Sequence, residues 1–182
     1  EEVLKKVGCK EGIAWVQVML DEDNNFYIIE MGYRLPGDMP FVNYDKLCNF
    51  DSIKWLVDYS LGKKYTKEDL PAALMKPMKS CGIAYSLWSN CEGKIKEIKG
   101  LEELKEKLGV RYFTLKKIGD SFDYHRPIGV ITFARETIDE TIKALKTVNE
   151  ILCVNNLDGD NSYIRYTDYD YLKDLYMKGI SE

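Results

Sequence analysis

The chain has 182 residues, a formal net charge of −4, 45% hydrophobic and 31% charged residues, and no Lys/Arg-rich run. Such a chain can build one large globular domain or two small ones. It holds no stretch near the roughly 20 apolar residues that span a bilayer and no basic footprint for nucleic acid, so neither membrane nor nucleic acid is an expected partner.

The opening Glu1-Glu2-Val3-Leu4-Lys5-Lys6 reads as a charged helix, not a signal peptide. The first residue is not Met, so the chain is expected to begin inside a longer protein. The helix should close at Gly8 or Gly12. Residues 13–20 and 26–31 alternate, are rich in branched and aromatic side chains, and flank a polar turn, which predicts a β-hairpin. Glu30 closes an apolar strand. A carboxylate at the end of a buried run needs a partner, and a cation is one such partner. Residues 32–50, with Pro36, Gly37, Pro40 and Asn43, read as a long loop with at most one helical turn. Loops of that length are often functional.

Asp51 should cap a helix over 52–61, with Ile53, Leu56, Val57 and Leu61 on one side and Gly62 as its stop. Residues 63–78 carry Lys63, Lys64, Lys67, Pro71 and Pro77 and read as a connector. They divide the chain into an expected first unit, 1–74, and a second, 75–182. In the second unit, strands are expected at 80–89, 94–99, 110–117 and 127–134, and a short helix at 101–108 ended by Gly109. The helical period continues from Ile138 to Val154, opened by Thr137 with Glu140 three residues on, a capping box. A last strand at 162–166 and a short helix from Tyr169 to Met177 complete the pattern. The fold class is α+β, mainly antiparallel sheets with helices on their faces.

Five scattered cysteines, Cys9, Cys48, Cys81, Cys91 and Cys153, form no Cys-x-x-Cys pair and read as free thiols of a reducing cytoplasm. The single His125 falls in a loop. Trp15 and Trp55 are expected in core. Tyr163, Tyr166, Tyr169, Tyr171 and Tyr176 gather near the end, where core and interface are both open readings.

The chemistry-bearing residues lie in the first hairpin. With a loop at Glu22 to Asn25, Asp21 faces Phe26, Met19 faces Ile28, and Gln17 faces Glu30, so an amide and a carboxylate oxygen share one face of the sheet. Hard oxygen ligands suit Mg²⁺, and the planar fork of Arg34 suits phosphate. A plainer reading stays open: Gln17 and Glu30 hydrogen-bond each other, and Arg34 pairs with Glu30. Asp21 is expected to shape the turn.

The stretch from Gly12 to about Tyr65 resembles the end of the ATP-binding lobe of ATP-grasp enzymes, which include biotin carboxylase, carbamoyl phosphate synthetase and carboxylate–amine ligases. Their pattern is a strand bearing Glu or Gln, a polar turn, and an apolar strand ending in Glu-x-Asn-x-Arg. Gln17, Glu30 and Arg34 occupy the matching positions. The resemblance implies that Gln17 and Glu30 hold the Mg²⁺ (or Mn²⁺) of Mg-ATP, and that Arg34 lies at the acyl-phosphate end. Gly32 stands at the Asn position and offers no side-chain ligand. Asp38 is a possible substitute, with turn formation beside Gly37 as its simpler role. The second unit is similar to the small C-terminal domain of many ATP-grasp ligases, through Arg126 to Ala134 and the helix opening at Thr137.

No Gly-rich phosphate loop is present, and Lys63, Lys64 and Lys67 read as solvated. The resemblance therefore implies the C-terminal part of an ATP-dependent ligase. That ligase would activate a small carboxylate as an acyl phosphate and couple it to an amine. The chain would be inactive alone, and the whole protein could form a homodimer. The alternative is a non-catalytic binding or assembly module of the same fold.

Overall fold

The computed structural model describes residues 2–10, 12–23, 25–37, 41–70 and 80–180. The chain opens with a short helix, α1 (Glu2–Lys6), which ends at Gly8. Gly8 has a φ of 86°, a left-handed value that glycine adopts without a steric penalty. The amides of Gly8 and Cys9 donate to the carbonyls of Lys5 and Leu4 at 3.0 and 2.9 Å. Strands β1 (Trp15–Leu20) and β2 (Phe26–Gly32) form the expected antiparallel hairpin. Asp21 shapes its turn. One carboxylate oxygen accepts from the amides of Asp23 and Asn25 at 3.0 and 2.9 Å, the other from Asn25 Nδ2 and the Tyr27 hydroxyl, both at 3.1 Å.

The apolar run closed by Glu30 is not buried by the described residues. Val16, Val18, Met19, Leu20 and Phe26 to Ile29 are all exposed. The two strands form a sheet of their own, so neither of its faces is covered by another strand.

Sequence patterning missed α2 (Phe41–Cys48), an eight-residue helix within the expected long loop. Its residues Phe41, Asn43 and Cys48 are buried. Asn43 Nδ2 donates to the Ile83 carbonyl at 2.7 Å, and a Cβ on Gly82 would lie 2.9 Å from that of Asn43. The helix thus lies on the second unit. Asp45 ties α2 to α3 (Ser52–Ser60), accepting from the Ser52 amide at 2.8 Å and its hydroxyl at 2.5 Å.

Asp51 caps α3 as expected, accepting from the Lys54 amide at 2.7 Å. The helix presents its other side inward, however. Ile53, Val57 and Leu61 are exposed, while Trp55, Leu56 and Tyr59 are half-buried and Trp55 stacks on Tyr59. The expected unit boundary near 70–77 lies largely outside the described residues.

From residue 81 the chain builds two small antiparallel sheets around one core. Strand β3 (Cys81–Trp88) and β5 (Arg111–Thr114) flank β7 (Pro127–Arg135). Residues 128–134 of β7 are buried without a break, as expected of a central strand covered on both faces. Strand β4 (Gly93–Lys99) is flanked by β6 (Ser121–Phe122) and β8 (Cys153–Asn156). Helix α4 (Leu101–Leu108) packs on helix α5 (Ile138–Ile151), which lies against β3 and β7. Thr137 caps α5, accepting from the Glu140 amide at 3.2 Å.

The helix stops at Ile151, short of the expected Val154. Leu152 turns to extended backbone, and Cys153–Asn156 pairs with β4, its burial alternating with period two. Leu87, Ile95, Leu104, Ile128, Ile131, Val148, Leu152 and Val154 are fully buried in one core. The expected strand at 162–166 is reduced to isolated bridges, Ser89 with Tyr163 and Asn155 with Asn161. Helix α6 (Tyr169–Ile180) ends the chain. Tyr163 is core, Tyr166 and Tyr169 are half-buried, and Tyr171 is exposed. The fold class read from the sequence is borne out. Among the described residues, no helix is long and apolar enough to cross a membrane.

Candidate functional site

The hairpin register places Gln17 opposite Glu30, by a different route from the regular ladder expected. Leu20 pairs with Phe26, Met19 with Tyr27 and Val18 with Ile28. That register would set Gln17 against Ile29. A shift between Gln17 and Val18 leaves Ile29 unpaired and brings Glu30 opposite Gln17, Met31 opposite Val16 and Gly32 opposite Trp15. One extra residue on one strand is a β-bulge, which re-aims the side chains beyond it. Side chains alternate along a strand, so Trp15 and Gln17 share a face with Glu30 and residue 32.

Trp15, Gln17, Glu30 and Arg34 line one cleft of about 510 Å³, with Pro36 and Gly37 also in its lining. Gln17, Glu30 and Arg34 are exposed. The plainer reading, a structural Gln17–Glu30–Arg34 cluster, is not what the side chains do. Among the described residues, the Gln17 amide and the Glu30 carboxylate have no hydrogen-bond or ion-pair partner. Arg34 Nη1 donates to the carbonyl of Leu35 at 2.9 Å, and the guanidinium carbon stands 5.5 Å from the centre of the Trp15 ring. Among the described residues, two oxygen-bearing side chains without partners thus share one face, beside the Arg34 guanidinium.

Trp15, expected in core, is half-buried and lines the cleft. The signal for this place was the pairing of the largest side chain with a glycine across the ladder, visible only once the bulge is known. Of the other candidates, Asp38 lies outside the described residues. Lys63 Nζ lies 3.5 Å from Asp58 and 4.6 Å from the Tyr65 ring centre, at the surface. His125 is exposed, at a φ of 53°, stacked on Tyr124 with its amide donating to the Ser89 carbonyl.

A larger cleft, about 870 Å³, opens beside β3 between Tyr85, Trp88, Arg165 and Leu172. Its one carboxylate, Asp168, accepts from the Tyr171 amide at the start of α6, and Arg165 lies over the Tyr163 ring. The hairpin cleft is smaller but holds the unengaged donors. Among the described residues, no three His, Cys, Asp or Glu side chains gather to hold a metal. Glu30 with Gln17 is therefore a sparse donor set, of the kind that suits Mg²⁺ carried by phosphate oxygens and water.

No protein-family model matches the chain, and no curated protein matches it. Solved structures do. An L-amino acid ligase from Bacillus licheniformis is 20% identical over 84% of this chain, with a TM-score of 0.66. The biotin carboxylase from Campylobacter jejuni, in complex with a β-γ-ATP ligand, is 18% identical over 97%, with a TM-score of 0.62. The biotin carboxylase domain dimer of the Hydrogenobacter thermophilus 2-oxoglutarate carboxylase, in complex with MgADP, ADP and bicarbonate, is 16% identical over 97%, with a TM-score of 0.60. The chain spans 37–38% of the length of these three. They are ATP-grasp enzymes, and at these identities the likeness establishes a shared fold.

Proposed function

We propose, from an ATP-grasp fold with Gln17, Glu30 and Arg34 lining one cleft, that this chain supplies the metal and acyl-phosphate end of the active site of an ATP-dependent, C–N bond-forming ligase. The observation that carries the reading is the pairing of Gln17 with Glu30 across the bulge, their side chains without partners among the described residues. The solved structures with ATP-type nucleotides, magnesium and bicarbonate support a nucleotide and a small carboxylate as ligands. The units 1–74 and 75–182 would be the end of the ATP-binding lobe and the small C-terminal domain. The dimeric neighbour makes a homodimer the natural assembly. The five free cysteines fit a reducing cytoplasm.

In such a ligase a substrate carboxylate oxygen attacks the γ-phosphorus of ATP. ADP leaves with the bridging oxygen's electron pair, and the carboxylate becomes an acyl phosphate. An amine then attacks the acyl carbon, the C–O bond breaks, and phosphate leaves as the amine sheds its proton. Little covalent work is asked of the protein; orientation and charge stabilisation carry the rate. Gln17 Oε1 and Glu30 Oε would hold the nucleotide's Mg²⁺ or Mn²⁺, which when bound neutralises phosphate charge. Arg34 would meet the phosphoryl oxygens with its guanidinium, whose donors match phosphate geometry.

Mn²⁺ with ADP, titrated onto the whole protein by calorimetry, tests this. Binding that weakens at least about tenfold in Glu30→Gln, with an unchanged circular dichroism spectrum, supports the reading; ligand-shell losses are of that size. Equal binding by wild type and Glu30→Gln removes Glu30 from the site. The glycine at position 32 favours a second reading, a non-catalytic binding module of the same fold. ATP-dependent turnover by the whole protein, lost on Glu30→Gln, decides against that alternative.

A further inference from the structure

The Trp15–Gly32 pair changes what the cleft can hold. The two residues are Cα partners in the ladder, two positions beyond Gln17 on one strand and beyond Glu30 on the other. A Cβ on residue 32 would overlap Trp15 Nε1 and stand 2.8 Å from Cε2 and 3.1 Å from Cδ1. Position 32 has no left-handed φ, so the indole, not the backbone, requires a glycine there. The indole nitrogen is buried and has no acceptor among the described residues. The Arg34 guanidinium carbon lies over the ring, 5.5 Å from its centre, within the range of a cation–π contact.

The ring therefore packs on the backbone of residue 32 and meets Arg34, in the lining of the cleft it shares with Gln17 and Glu30. An indole N–H is a donor only and has no lone pair for a cation. Residue 32 brings no side chain at all.

We infer that Trp15 is a positioning residue that closes the Gly32 side of the cleft, so that the site takes a single divalent cation on Gln17 and Glu30 and keeps Arg34 on the indole face, toward the anionic ligand. This rests on the metal–nucleotide reading above. Removing the ring opens the space for a side chain at position 32. Trp15→Thr together with Gly32→Asn would then place a third oxygen donor beside Glu30 and admit a second ion. Gly32→Asn alone would force the indole out of its place.

The test counts Mn²⁺ bound per chain by equilibrium dialysis of the whole protein against fixed Mn²⁺ and ADP, alongside thermal melts. One ion on the wild-type chain, two on the double variant, and a melting temperature lowered in Gly32→Asn but restored by adding Trp15→Thr support the inference. Two ions on the wild type, one on the folded double variant, or a Gly32→Asn melt equal to wild type overturns it. The wild-type count needs no variant to fold. No Mn²⁺ on the wild type overturns the metal reading of the cleft, and this inference with it, a result distinct from two.

Discussion

Gln17 and Glu30 stand opposite each other across the β1–β2 ladder because Ile29 is left out of it. Opposed residues on one face of an antiparallel pair have Cβ atoms about 4.5–5.5 Å apart, close enough for both side chains to reach one ion. Replacing the amide by a second carboxylate should sharpen this. In Gln17→Glu, Mn²⁺ should bind roughly threefold to tenfold more tightly, since a charged ligand replaces a neutral one at the same reach. Calorimetry with Mn²⁺ checks this. Unchanged affinity would mean that the two side chains do not converge.

Much of this was legible in the sequence, and the failures have physical causes. The hairpin shows itself by alternation around a polar turn. The Gln17–Glu30 pair was reached through a regular ladder that the chain does not form. Alternation cannot express the bulge that leaves Ile29 unpaired. Trp15 looked like core because a lone Trp on a strand usually is, and only the partner register reveals the glycine beneath it. Helix α2 was hidden by Pro36, Gly37 and Pro40, which punctuate the chain just before Phe41. Strand β8 was absorbed into α5 because Leu152 and Val154 continue an apolar run whose change of period spans only four residues. The roles of Gln17, Glu30 and Arg34 came from resemblance; their spacing alone left a structural cluster equally open.

Asp21 holds the hairpin turn through bonds to the amides of Asp23 and Asn25, the Asn25 side chain and the Tyr27 hydroxyl. The Asn25 side-chain bond is the largest cause holding its carboxyl below the usual range. Asp21→Ala should speed hydrogen exchange at the β1 and β2 amides while leaving those of β7 unchanged, and should weaken Mn²⁺ binding only through the looser register. Exchange as slow as wild type in the hairpin would deny the turn its role.

Tyr85 fastens the segment after Tyr163 to the core. Its hydroxyl donates to Asn149 Oδ1 at 3.0 Å and accepts from the Tyr166 amide at 2.9 Å. Asn149 Nδ2 in turn donates to the Tyr166 carbonyl and the Tyr169 hydroxyl. Tyr85→Phe leaves a buried amide and a buried amide oxygen unsatisfied and should cost about 1–3 kcal/mol, read as a lower melting temperature. Burial is the main cause that pushes the Tyr85 hydroxyl up to about 12. The folded value lies above the ordinary 10.0, so the neutral form is favoured by folding. That contribution is complete below pH 10 and is lost as pH rises toward 12, and in Tyr85→Phe the alkaline slope should be shallower.

Asp58 gathers the end of α3 and the residues that follow it. Lys54 Nζ lies 2.6 Å from its Oδ2, the Tyr65 hydroxyl donates to the same oxygen at 2.8 Å, and Lys63 Nζ is 3.5 Å away. The Lys54 bond is the first cause, and the Tyr65 bond the second, that lower its carboxyl from 3.8 to about 2. A depressed folded value stabilises the ionised form. The contribution is therefore complete above about pH 4 and falls away as pH drops toward 2. The group is at the surface, so added salt should shrink the effect. A carboxyl carbon titration by NMR should place the Asp58 midpoint near 2, and Lys54→Met should move it up toward 3.8. A midpoint at the ordinary value in the wild-type chain would mean that Lys54 and Tyr65 do not hold this carboxylate in solution, and Trp55, which stacks on Tyr59 and tilts against Tyr65, would then lose one of its neighbours' anchors.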